Sequence, residues 1–171
     1  MPGPVAHTAV AAAVGGAVWA ATGEPMAMPV AFGAGVLIDV DHVLDYYNWY
    51  FRRDRRYTFL VFHAWEYAAA GLALAAGVWQ HPLAFAAVLG YIGHLTLDNI
   101  ANPVNRAMYS LAYRAWRRFD RKVLIFEERT LQQTLRRYIP LWERIEPLAM
   151  RLPAYCRAVK AIEAENEAQS R

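Results

Sequence analysis

The feature that most constrains this chain is where its positive charges are missing. None of the eighteen Lys and Arg residues precedes Arg52; four stand at Arg52, Arg53, Arg55 and Arg56, none lies between Tyr57 and Asn105, and the other fourteen follow. The cation-free intervals are apolar runs over about residues 4–22, 28–46, 59–79 and 82–100, each near the roughly 20 residues that a hydrocarbon core demands of a helix. A mean hydropathy of +0.09 and a net charge of +3 conceal this split, although 57% of the residues are hydrophobic. The connections around Gly23 and His81 carry no Lys or Arg, so the positive-inside rule places the Arg-rich connection and both termini on the cytoplasmic side. The expected fold class is therefore all-α, a four-span transmembrane helical bundle over residues 1–104 with a cytoplasmic, basic amphipathic helical tail over 105–171.

That topology brings scattered polar residues to one depth. His7 opens the first run, and Asp39, Asp41, His42 and Asp45 close the second. His63 and Glu66 open the third, and His94 and Asp98 close the fourth. Ionisable groups inside a span are costly and mark function by default. Spacings of three (Asp39 and His42, His63 and Glu66) or four (Asp41 and Asp45, His94 and Asp98) bring side chains onto the same or adjoining helix faces. Helix bundles build metal sites from such carboxylate and His pairs. Each set alone has an ordinary explanation, a solvated helix end or a satisfied core histidine. Their convergence at one level favours a divalent metal, Zn or Mn, held by His7, Asp39, Asp41, His42, His63, His94 and Asp98. This exceeds the needs of one zinc, so either two ions share the site or some groups orient ligands and handle protons. Glu66 and Asp45 are the candidate general bases. His81 belongs to the opposite membrane face and reads as a turn residue.

Other chemistries find little footing. There is no Gly-x-Ser-x-Gly or Ser-His-Asp arrangement and no Gly-rich phosphate loop. The single Cys156 excludes an intrachain disulfide and reads as a surface thiol or packing residue. No basic residue precedes the first apolar run, which argues against a cleavable signal peptide. Residues 105–138 read as a basic, aromatic amphipathic helix or helix pair, with Met108, Leu111, Ala115 and Phe119 near helical spacing and Arg114, Arg117, Arg118 and Arg121 on other faces. Such a segment suits anionic membrane lipids, and no nucleic acid is expected. Pro140, Pro147 and Pro153 divide the remainder. Asn99, Asn102 and Pro103 read as a helix stop. One arginine of the group at 52–56 has the geometry to clamp a phosphate.

The early His7-Thr8, Asp39-Val40-Asp41-His42, the His63 to Glu66 stretch and Gly90-x-x-x-His94-x-x-x-Asp98 together resemble the YdjM-like family of LexA-regulated, inner-membrane-associated metal-dependent hydrolases. The resemblance covers about the first 105 residues. It departs at Ile38, where the family often has Pro, and at the third run, where a family Arg and a second His are missing and Glu66 stands in their vicinity. The resemblance implies a multi-pass protein of the bacterial inner membrane. Together with the residues themselves, it leads to a metal-dependent hydrolase acting at the cytoplasmic face on a phosphoester or ester of a lipid or lipid-linked substrate. A small metal-handling or transport protein, or a metal-stabilised structural module, is the alternative. The oligomeric state is left open.

Overall fold

The computed structural model describes residues 3–125, 130–139 and 141–169. Among these the chain is all-α, and its only β pairing consists of two isolated bridges, Tyr57 with Asp120 and Val104 with Ile125. Helix α1 (Pro4–Thr22) opens with Pro at its first turn, where the missing N–H costs nothing. It stops at Gly23, whose φ of 75° lets its N–H close on Trp19 O at 2.7 Å. Helix α2 (Ala27–Val36) continues without a break through a 3-10 turn (Leu37–Asp41), α3 (His42–Tyr46) and a π turn (Tyr47–Phe51). Pitch changes inside one rod tend to mark functional segments, and these bracket the Asp-rich stretch. Helix α5 (Pro82–Ala101) matches the fourth apolar run to within one residue.

Three helical stretches, Pro4–Thr22, Ala27–Phe51 and Pro82–Ala101, are long and apolar enough to cross a membrane. Only 22%, 22% and 33% of their apolar windows are buried within the protein, so most of that surface faces outward. An apolar belt of this size is a liability in water and a requirement in lipid. The three rods hold together by close backbone approach. A Cβ built on Gly90 would stand 2.5 Å from Ala31 O, and one on Gly35 would stand 2.9 Å from Gly90 O. Such small-residue contacts are how helices associate where no hydrophobic force drives them.

The third run departs from expectation. Helix α4 (Trp65–Gly77) has 13 residues, about 20 Å at 1.5 Å per residue, short of the ~30 Å core. Residues 59–64 are not helical. Their backbone polar groups find partners elsewhere. Phe59 and Leu60 N–H donate to Asp45, Phe62 N–H to Asp41, and Ala64 N–H to the Tyr91 hydroxyl, which donates on to Phe62 O at 2.6 Å. His63 therefore lies outside the helix, and the expected three-residue helical spacing between it and Glu66 does not exist.

Residues 105–138, expected as one amphipathic helix or a helix pair, form a larger number of shorter pieces. A 3-10 turn (Arg106–Tyr109) leads to α6 (Leu111–Trp116), α7 (Arg121–Leu124), α8 (Leu131–Tyr138), α9 (Trp142–Ala149) and α10 (Pro153–Gln169). Side-chain caps start four of these pieces: Asn105 accepts from Ala107 N–H, Ser110 from Tyr113, Asp120 from Lys122, and Thr130 forms a capping box with Gln133. Met108 is not on a lipid-facing stripe. It is buried with Tyr109 and Leu124 against Leu60, Leu95 and Val104 at the end of the bundle. A second core joins Trp49 and Tyr50 of the π turn to Leu131, Trp142, Tyr155 and Ile162.

Candidate metal centre

Four side chains from three separate stretches converge where α5 meets the 3-10 turn. Asp39, His63, His94 and Asp98 each offer one ligand atom, all within 4.8 Å of one another. The spacings are tight. His63 Nε2 is 3.1 Å from His94 Nε2, 3.4 Å from Asp39 Oδ1 and 3.6 Å from Asp98 Oδ2. His94 Nε2 is 3.5 Å from Asp39 Oδ1 and 3.4 Å from Asp98 Oδ2. A tetrahedral site with bonds of about 2.0–2.2 Å has donor-to-donor edges about 1.63 times longer, roughly 3.3–3.6 Å. The five distances fall on or just below that range, so these groups can hold a metal ion.

Hydrogen bonding behind the cluster fixes which nitrogens point into it. His94 Nδ1 lies 2.7 Å from Gly35 O. A carbonyl only accepts, so Nδ1 carries a proton, and in the neutral ring Nε2 presents the lone pair. His63 Nδ1 lies 3.1 Å from Asp41 Oδ2 and donates to the carboxylate, so that in the neutral ring Nε2 is the nitrogen left to bind an ion. Carboxylate and carbonyl partners behind a ligating imidazole are the usual outer layer of a metal site. Asp98 is held on its other side: His7 Nε2 stands 3.3 Å from Oδ1, and the His7 ring stacks on His94 with centroids 3.8 Å apart.

The remaining carboxylates act on backbone. Asp45, fully buried, spends both oxygens on the N–H groups of Phe59 and Leu60 at 3.1–3.2 Å. Asp41 Oδ2 receives Phe62 N–H at 2.8 Å besides His63, and its Oδ1 lies 3.1 Å from His42 Nδ1. Asp41, His42 and His63 form a second close group. His42 Nδ1 is also 3.6 Å from Asp39 Oδ1, the spacing that three residues per 3-10 turn produces.

Of the residues singled out from sequence, Asp39, His63, His94 and Asp98 meet around one point, with His7, Asp41 and His42 immediately behind. Asp45 supports the 59–60 backbone and belongs to neither ligand group. Glu66 does not share a spot with His63: its carboxylate accepts from Ser110 Oγ at 2.6 Å and from Leu111 and Ala112 N–H at 3.0 and 3.1 Å, anchoring the start of α6. Its expected place beside the ligands rested on a helix that begins only at Trp65. His81 caps α5 by accepting from Leu83 N–H, as a turn residue does.

Sequence reasoning missed three contributors. Gly35 supplies a carbonyl and Tyr91 a hydroxyl, roles that leave no mark in a pattern of ionisable residues. Arg114 was read as one of several tail cations, yet its side chain is wholly buried and donates to Leu60 O at 2.5 Å. Burial weakens its hold on the proton, while Asp41 and Glu66 nearby strengthen it.

A scan against family models finds no match to this chain, and neither a search of curated proteins nor one of solved structures finds a similar protein.

Proposed function

We propose that the chain is a multi-pass membrane hydrolase with one metal centre at Asp39, His63, His94 and Asp98, open toward the cytoplasmic face. The observation that carries this reading is the convergence of two imidazole Nε2 atoms, 3.1 Å apart, with two carboxylates, all four ligand atoms lying within 4.8 Å of one another. Two imidazoles with two carboxylates at these separations suit Zn or Mn. Such an ion supplies Lewis acidity, polarising a phosphoryl or carbonyl oxygen and making water a nucleophile near neutral pH.

The chain's own residues divide the remaining work. Asp39, the ligand whose side chain is 23% exposed against 5% or less for the others, is the side from which substrate enters. His42 is the proton acceptor: Asp41 holds its Nδ1–H, and its Nε2 has no hydrogen-bond partner among the described residues. Glu66 and Asp45 belong to neither ligand group and are engaged in anchoring backbone, Glu66 at the start of α6 and Asp45 at residues 59–60. The third crossing is completed by residues 59–64 together with α4, an irregular segment of the kind tolerated at membrane depth when its backbone is satisfied by protein. With four crossings, both termini face the cytoplasm of a bacterial inner membrane. A substrate carrying its ester at the lipid surface, a lipid or lipid-linked phosphoester or ester, reaches such a site. The motif resemblance to YdjM-like hydrolases supports the same class.

The test is metal analysis and turnover on protein purified in detergent. His63→Ala and His94→Ala should retain less than about a tenth of the bound ion, since each removes a ligand and leaves carboxylates without counter-charge. His42→Gln should keep the ion and lose hydrolysis of a lipid phosphoester, and His81→Ala should change neither. Full metal content in His94→Ala would overturn the centre. Chelation that unfolds the chain outright would make the ion structural.

A further inference from the structure

Away from the metal centre, the connection at 52–58 and the turn at 116–120 are joined into one rigid unit. Thr58 N–H donates to Phe119 O at 3.0 Å, Arg121 N–H to Arg56 O at 2.9 Å, and Tyr57 bridges Asp120 in antiparallel fashion. Trp49 Nε1 pins Tyr57 O at 2.7 Å from the end of the second span, and the rings of Phe59 and Phe119 meet at 5.5 Å. The unit holds Arg53, Arg118 and Phe119 at φ of 58°, 53° and 58°. Non-glycine residues rarely occupy that region, and such strain gathers at binding and switch sites.

Between the two loops lies an open basin of about 840 Å³. Arg53, Arg55, Arg56, Arg117, Arg118 and Lys122 line it, against two carboxylates, Asp54 and Asp120. Both acids are committed. Arg56 grips Asp54 with Nε and Nη2 at 3.0 Å each, which holds that carboxyl down at about 2, and Asp120 caps α7 through Lys122 N–H. On the wall formed by residues 117–122, Arg117, Arg118 and Lys122 outnumber Asp120 by three to one. Arg117, Arg118 and Lys122 are exposed. Beside them Trp116, 72% exposed, carries the Arg117 guanidinium at 5.4 Å from its ring centroid.

We propose that this basin binds the headgroup phosphate of an anionic phospholipid. The basin begins two residues beyond Phe51, where the Ala27–Phe51 span ends, and so sits at headgroup depth if that helix spans. Arg forks match phosphate oxygens, and exposed Trp and Tyr beside them are what a protein presents at the interface. A nucleic-acid groove has the same charge but no reason to abut the end of an apolar rod. The proposal rests on the membrane reading and not on the metal or on hydrolysis.

The whole chain in a neutral detergent is titrated with short-chain phosphatidylglycerol, phosphatidylcholine, inorganic phosphate and a DNA oligonucleotide. Phosphatidylglycerol should bind at least tenfold more tightly than phosphatidylcholine. The triple variant R117Q/R118Q/K122Q should weaken it about a hundredfold, at about fivefold per basic residue. R144Q/R151Q, two exposed tail arginines outside the basin, should leave it unchanged. Unchanged helix content of the triple variant by circular dichroism shows that the fold is intact whether or not the chain binds metal; carbonate extraction tests the membrane reading separately. Equal affinity for the two lipids, undiminished binding by the triple variant, inorganic phosphate binding as tightly as phosphatidylglycerol, or displacement of lipid by the oligonucleotide would each overturn the proposal.

Discussion

Gly90→Ala links helix packing to the metal centre through a distance that can be worked out. Gly90 lies one turn before His94 on α5, and a Cβ there would sit 2.5 Å from Ala31 O and 3.0 Å from Ala31 Cα. Both are backbone atoms of α2, so no side chain can swing aside. Restoring ordinary contact at 3.4 Å requires α5 and α2 to part locally by about 0.9 Å, taking 2.5 from 3.4. Overpacking of this kind costs about 1–3 kcal/mol, offset by up to ~1 kcal/mol from alanine's better helix propensity. The same displacement moves His94 and Asp98 on α5 away from Asp39 on the α2 rod. It stretches the 3.5 Å edge from His94 Nε2 to Asp39 Oδ1 beyond what a tetrahedral ion spans, and lengthens the 2.7 Å bond from His94 Nδ1 to Gly35 O. Metal affinity should fall at least tenfold, measured by competition with a fluorescent chelator, and the melting temperature should drop with it. Gly16→Ala meets nothing within 4 Å and should leave affinity unchanged. If Gly90→Ala binds metal as tightly as the parent, the ligand set does not depend on the approach of α2 to α5, and the assignment of the centre to the seam between them is wrong.

Two other substitutions test how the tail supports the site. Glu66→Gln should lower thermal stability by about 1 kcal/mol, the usual scale for losing a helix-start acceptor, while keeping metal and turnover; loss of turnover at unchanged stability would restore Glu66 as a base. Arg114→Met removes the donor that fixes Leu60 O, three residues before His63, and should weaken metal binding about 10–100-fold, the range seen when a ligand's supporting layer is lost. Arg114→Lys, keeping the charge and a donor, should recover part of that affinity, and its failure to do so would assign the loss to packing alone.

The three long apolar helices and the cluster were legible because hydropathy and the pattern of ionisable residues record them directly. The first and fourth apolar runs match α1 and α5 to within a residue, since the turn at Gly23 and the cap at His81 mark their ends. The convergence of His63, His94, Asp39 and Asp98 followed from topology, because antiparallel rods return alternate ends to one face. The third run was misread because Phe59, Leu60, Val61 and Phe62 are as apolar in an extended segment as in a helix. What pulls them out of helix is a set of carboxylates fourteen to twenty-one residues away in sequence, accepting their N–H groups. The tail was misread for a related reason: Ser110 and Asp120 each make a local cap that outcompetes continuation of a weakly periodic helix, and Met108 finds a core that lies across the bundle.

The number of ions follows from how His63 is used. Two ligand groups share this residue, one through Nε2 with Asp39, His94 and Asp98, the other with Asp41 and His42. Occupying both would require the ring to lose both protons and bridge as an imidazolate. The second group is poorly placed for that. Asp41 Oδ2 already receives Phe62 N–H at 2.8 Å and His63 Nδ1 at 3.1 Å, and its Oδ1 faces His42 Nδ1, so three of its roughly four acceptor sites are engaged. A cation there would have to compete with the backbone N–H that shapes the approach to His63. The centre should therefore bind one ion per chain, by elemental analysis and by the endpoint of a metal titration. Asp41→Asn tests the role directly. If Asp41 orients His63, the variant keeps a stoichiometry of one with affinity lowered about 10–100-fold. If Asp41 is a ligand of a second ion, the parent binds two and the variant one, and the division of labour argued here between ligands and their supporting layer is overturned.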